Sequence, residues 1–165
     1  MYLDNPRAGV LRRFSAIVYD ALVLCALWMG AMAFGLAVVA VLTSVGVISL
    51  VGYIDTADYV QKHALWFQLY SLLVFAWFYL YFWTKAGQTL GMRAWRMLLI
   101  SADGQPLTLK QSSIRLLTSL LGLGNFWLWL RRKDGLALQD KAAGTIVVVL
   151  TKEQSQSFNL HKTAR

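Results

Sequence analysis

The stretch Ile17–Leu42, IVYDALVLCALWMGAMAFGLAVVAVL, decides how the rest of this chain is read. It is longer than the roughly 20 apolar residues a transmembrane helix needs, and Asp20 is its single charge. An ionised side chain in hydrocarbon costs a few kcal/mol or more, so a carboxylate there is paired or functional. Arg13 stands two helical turns before Asp20, about 10 Å along a helix axis at 1.5 Å per residue. The apolar character extends from about Phe14 to Val51. Arg7, Arg12 and Arg13 ahead of it, with Ala31-Met32-Ala33 inside it, imitate a signal peptide and its cleavage site. Asp20 would interrupt the apolar core of such a peptide, and the run continues past Ala33. The stretch therefore reads as a retained span.

Composition agrees. Of 165 residues, 58% are hydrophobic and only 15% are charged, against about 25% in soluble domains. Seven Trp and seven Tyr supply rings suited to membrane interfaces. The net charge of +8 fits basic residues gathered at a cytoplasmic face against anionic lipid headgroups, and no nucleic-acid partner is expected. Cys25, the sole cysteine, lies mid-helix and reads as a small apolar side chain.

Two further apolar regions follow. His63 to Trp83 is aromatic-rich and reads as a second span. Ile114 to Leu130 is barely long enough to cross, and Gly122-Leu123-Gly124-Asn125 favours a break. The basic residues around the first two regions place both flanking segments in the cytoplasm. If the third region crosses, Arg131, Arg132, Lys133, Lys141, Lys152, Lys162 and Arg165 join Lys62 outside. If it turns back, Lys62 alone is outside, which obeys the positive-inside rule better. Arg96-Met97-Leu98-Leu99-Ile100 and Thr145-Ile146-Val147-Val148-Val149-Leu150 read as strands, with Asp103-Gly104 marking a turn. These strands can pair only if the third region does not cross.

The expected architecture is thus mainly α and polytopic. It has two transmembrane helices, a third region that is broken, re-entrant or interfacial, and a small cytoplasmic β element pairing 96–100 with 145–150. Residues 1–152 form one membrane domain, and 153–165 a polar, mobile tail. Both termini are expected in the cytoplasm of a multi-pass inner-membrane protein.

Ala26, Gly30, Ala33 and Ala37 form a small-residue stripe on the first helix, of the kind that lets transmembrane helices approach closely. The stripe fits packing on the chain's own second helix, or on a second copy or another membrane protein. Arg93, Arg96, Trp127, Trp129, Arg131 and Arg132 read as interfacial anchors or headgroup contacts. No catalytic set emerges. Tyr19-Asp20 with Gly122–Asn125 imitates an intramembrane aspartyl protease, but Asn125 cannot serve as the second carboxylate, so the chain reads as no enzyme. His63 and His161 stand alone, and neither metal nor cofactor is expected.

Three motifs carry a family resemblance. Ala8–Asp20 (AGVLRRFSAIVYD), Gly87–Arg93 (GQTLGMR) and Leu138–Thr145 (LQDKAAGT) resemble, in order, the signatures of the RDD family of bacterial membrane proteins, named for one arginine and two aspartates. The resemblance covers about Ala8 to Leu150 and implies that Arg13, Asp20 and Asp140 are those three residues. Met92 stands where the family commonly has lysine, and Gln139 where it commonly has histidine. The charges of Arg13, Asp20 and Asp140 fit a cluster that locks the first helix to the C-terminal segment. The resulting expectation is an accessory or scaffolding subunit that packs on another membrane protein through its first helix. The alternative is an oligomeric ion or small-solute transporter built around Asp20, since the resemblance implies a possible role in cation/proton exchange.

Overall fold

In a computed structural model, residues 2–125 and 135–163 are described. The chain is mainly helical and contains a two-stranded antiparallel sheet. It divides into two compact units, Leu22–Trp77 and the combination of Met1–Ala21 with Phe78–Arg165. The first helix, α1 (Val10–Ser44), contributes to both.

In the Leu22–Trp77 unit, α1 ends at Ser44, where Gly46 takes a left-handed φ of 77° and its N–H donates to the Thr43 carbonyl. A short helix, α2 (Thr56–Lys62), is capped by Asp55, whose carboxylate accepts from the Asp58 N–H at 2.8 Å. The following helix, α3 (Ala64–Tyr81), packs on α1. Trp28 Nε1 donates to Ser71 Oγ at 3.0 Å, and Tyr70 Oη donates to the Ala31 carbonyl at 3.2 Å. Gly35 leaves room for the Phe67 and Tyr70 rings, which a Cβ there would touch at 3.4 and 3.8 Å. Both α1 and the helical stretch Ala64–Ala86 are long and apolar enough to cross a membrane, and little of either is buried.

The other unit carries the polar architecture. A π-helical turn (Phe82–Ala86) follows α3 and ends at Gly87, which is left-handed with φ 63°. A Cβ on Gly87 would lie 3.0 Å from the Leu99 carbonyl oxygen. Next come α4 (Leu90–Ala94) and β1 (Met97–Ser101). The chain then forms α5 (Leu109–Ser119), a 3-10 segment (Leu120–Asn125), α6 (Leu138–Ala143), β2 (Thr145–Val149) and α7 (Lys152–Thr163). The strands pair from Met97↔Val149 to Ser101↔Thr145, within one residue of the expected limits.

Alternation along the strands places Met97, Leu99 and Val147 in a core with Ala8, Ala16, Trp83, Met92 and Leu107. Leu98, Ile100, Ile146 and Val148 face the other way, under Tyr2, Leu136 and Phe158. The N-terminal segment joins the sheet, with the Ala8 N–H donating to the Val147 carbonyl at 2.9 Å.

One expectation is corrected. The segment after Glu153 belongs to a helix rather than a mobile tail, and Phe158 anchors it to the second core. The third apolar region is broken, as its sequence suggested, with the change falling at Leu120. Its helix, α5, starts five residues early and ends at Ser119, and Leu120–Asn125 continues as 3-10. Here Ser112 and Arg115 are buried, because α5 packs on α6. Pairing of β1 with β2 brings the two ends of this region together, as the fold-back arrangement requires.

Candidate functional site

The three charged residues singled out in the sequence occupy two separate sets of contacts. Asp20 projects from α1 to the start of α4. Its Oδ2 accepts from Thr89 Oγ1 at 2.6 Å, and its Oδ1 accepts from the Gly91 N–H at 2.8 Å. Thr89 is also the N-cap of α4, its hydroxyl accepting from the Met92 N–H at 3.2 Å. The carboxylate therefore satisfies a free N–H at a helix start and meets the positive end of its dipole.

This geometry accounts for the spacing Gly87-Gln88-Thr89-Leu90-Gly91. Gly87 makes the left-handed turn, Thr89 caps, and Gly91 lets the helix approach α1. A Cβ on Gly91 would overlap the Ala16 carbonyl oxygen and crowd the Asp20 carboxylate.

Arg13 and Asp140 form the second set with a residue the sequence reading did not select, Arg115. Arg13 Nη2 lies 2.7 Å from Asp140 Oδ2, and Arg115 Nη1 lies 2.5 Å from Asp140 Oδ1. The Arg13 contact is a close charge pair without hydrogen-bond alignment. Arg13 Nε donates to the Ala8 carbonyl at 3.0 Å, and Arg115 Nη1 also donates to Thr145 Oγ1 at 2.8 Å. Asp140 Oδ2 accepts from the Ala137 N–H at 2.9 Å, so the same carboxylate caps α6. This one side chain ties together α1, α5 and α6, and Arg115 extends the set to the start of β2.

Asp140 is 1% exposed. Burial pushes its carboxyl upward, but the Arg115 and Arg13 guanidiniums and the Ala137 N–H outweigh that and hold it below the ordinary carboxylate range. Burial lowers the Arg115 pKa, Asp140 opposes that shift, and Arg13 adds to it.

Gln139, at the position where histidine is common, donates Nε2 to Asn125 Oδ1 at 2.8 Å. Its Oε1 occupies the space a side chain on Gly124 would need. Gly124 and Asn125 thus pack against Gln139 of the C-terminal segment. Arg115 escaped notice because it lies inside the region read as apolar. Its sequence signal was a lone arginine among apolar residues, the same signal that marked Asp20.

The stripe Ala26, Gly30, Ala33 and Ala37 is exposed. At about 100° per residue it lies on the side of α1 roughly opposite Trp28, Ala31, Met32 and Gly35, which meet α3. Packing on the chain's own second helix is therefore not its role. Arg93 and Arg96 are exposed at and just beyond the end of α4. Trp127, Trp129, Arg131 and Arg132 lie outside the described residues. Among the described residues no group of His, Cys, Asp or Glu is placed to hold a metal ion.

The family model for the RDD family matches residues 7–144, and the chain belongs to that family. No curated protein and no solved structure matches it. The family and the two long apolar helices together support reading the chain as a membrane protein.

Proposed function

We propose that this RDD-family chain is an accessory or scaffolding subunit of the bacterial inner membrane, which packs on another membrane protein through its first helix. The observation that carries the reading is the exposed small-residue face of α1, turned away from α3. Close helix approach in lipid relies on such faces, because lipid tails are as apolar as Leu and supply no hydrophobic drive. The Arg13–Asp140–Arg115 clasp supports the reading by holding the base of α1 to a folded polar unit. In this arrangement α1 and α3 span, both termini face the cytoplasm, and the third region returns to the side it left. The β1–β2 pairing supports that topology, and external labelling of a tag at Arg165 would overturn it.

Purification of the full chain in a mild detergent, with mass spectrometry of what accompanies it, tests the partner. A membrane protein should co-purify with wild type and be lost from Gly30→Leu. Loss of nothing on Gly30→Leu would count against the stripe as the contact face.

A second reading, a cation or proton exchanger, draws on Asp20, a buried carboxylate with no ion pair among the described residues. Both of its oxygens already accept hydrogen bonds, which favours the capping role. Cation- or pH-driven flux in proteoliposomes that Asp20→Asn abolishes, with the protein still folded, would reverse that preference.

A further inference from the structure

The Arg13–Asp140–Arg115 set contains two guanidiniums and one carboxylate, so it carries one excess positive charge in a buried place. Arg13 and Arg115 are 4% and 5% exposed. A buried charge without compensation costs several kcal/mol, so a cluster of this sign calls for an anion.

The hydrogen-bond inventory points the same way. Arg13 Nη1 and Arg115 Nε are buried without a hydrogen-bond partner, while Arg13 Nη2 lies against Asp140. Two further unpartnered groups adjoin Arg115. Ser112 Oγ is fully buried one helical turn earlier on α5, and positions three apart share a helix face. Trp83 Nε1 is also buried and unpartnered, and its ring lies 5.4 Å from the Arg115 guanidinium carbon. Buried polar groups in folded proteins are nearly always paired, so several together around one charge imbalance call for an explanation. All of them can donate. Asp140 already takes Arg115, Arg13 and the Ala137 N–H, three of the roughly four contacts a carboxylate can accept, so it leaves most of these donors unserved.

We infer that Arg13, Arg115, Ser112 and Trp83 form a binding site for a phosphate group. Arg13 Nη1 and Arg115 Nε can each donate a charge-assisted hydrogen bond to one oxygen of a tetrahedral oxyanion, while a hydroxyl and an indole N–H can each donate to a remaining oxygen. The monoanion cancels the excess charge of the set. Its source is either a phospholipid headgroup or free phosphate. Arg13 lies in the first turn of the apolar helix α1, where a headgroup would meet the chain if α1 spans. The site is distinct from the small-residue stripe, so Gly30→Leu should leave phosphate binding unchanged while disrupting the partner contact.

The test is thermal unfolding of the full chain, purified in mild detergent into phosphate-free buffer at fixed ionic strength. One arm titrates inorganic phosphate. The other titrates a short-chain phosphatidylglycerol against the diacylglycerol of equal chain length. A saturable rise in Tm in the first arm assigns free phosphate, and one confined to the phosphatidylglycerol assigns the headgroup. Ser112→Ala and Trp83→Phe each remove one donor and leave the Arg–Asp contacts in place. Each should raise the half-saturating concentration roughly tenfold, as expected for a hydrogen bond to a charged group. Absence of a saturable shift in both arms overturns the proposal. So does a wild-type midpoint in both variants, because it would mean that the anion acts by general charge screening.

Discussion

The two units are held by different physics. In the unit formed by the chain's two ends, buried polar side chains reach across sequence separations of up to about 130 residues, as between Arg13 and Asp140. In Leu22–Trp77 the two long helices meet through rings against Gly35 and a few side-chain hydrogen bonds, while large apolar side chains such as Leu22, Met29 and Phe34 stay exposed. A soluble protein would not leave such a surface bare, and lipid or a partner helix would cover it. On the function proposed above, the contrast separates what folds the chain from what docks it. The polar unit tolerates little change, whereas the apolar helix pair leaves one face of α1 unused.

The sharpest way to break that contrast is Asp140→Asn. It leaves two buried guanidiniums without their counter-charge, and removing one partner of a buried pair costs about 3–5 kcal/mol. The expected outcome is a large fall in Tm or loss of the folded protein, read by thermal unfolding in detergent. The same carboxyl also sets a pH dependence. Its folded pKa lies below the ordinary 3.8, so its stabilisation is fully present above that value and is lost as pH falls through the folded pKa. Acid unfolding of wild type should therefore be steep below pH of about 4, and a variant with Asn at this position should lack that component.

Gly91→Ala comes next. Its Cβ would overlap the Ala16 carbonyl oxygen, and overpacking of this kind costs about 1–3 kcal/mol. The loss should appear in chemical denaturation as a lower midpoint with an unchanged slope. Asp20→Asn should be milder, about 1–2 kcal/mol. The amide can still accept one hydrogen bond, but it cannot match the carboxylate at the start of α4. Pairing it with Thr89→Val in a double-mutant cycle should show coupling. Strict additivity would argue that the two side chains act independently.

The smallest effects belong to the apolar unit. Trp28→Phe removes the bond to Ser71 and should cost about 1 kcal/mol or less, since that bond is exposed. Gly30→Leu should leave Tm within a degree or two, because nothing lies within 4 Å of its Cβ direction. A large loss of stability in Gly30→Leu alone would erase the distinction between folding face and docking face.

Much of this was legible in the residues. The short apolar runs Met97–Ser101 and Thr145–Val149, the second rich in β-branched residues, read as strands, and the two apolar helices followed from length and composition. Asp20 and Asp140 were found because charge is scarce in such a chain. Arg115 was not, because a single arginine within an apolar stretch can turn to water, lipid headgroups or an internal partner, and only the fold chooses among these. The stripe on α1 was visible as spacing, but which helix face meets α3 depends on how Phe67 and Tyr70 fit against Gly35.

By itself, then, the sequence determined the class of the protein, its family, its two candidate spans, its strands and the identity of three charged residues. These follow from local period, length and composition, which each segment carries within itself. Tertiary structure decided that the three charges serve two purposes, with Asp20 capping a helix beside Thr89 and Asp140 joining Arg13 to Arg115. That division arises from contacts between residues far apart in the chain. Local pattern constrains such pairings only weakly, and a buried carboxylate takes whichever donors the folded backbone brings within reach.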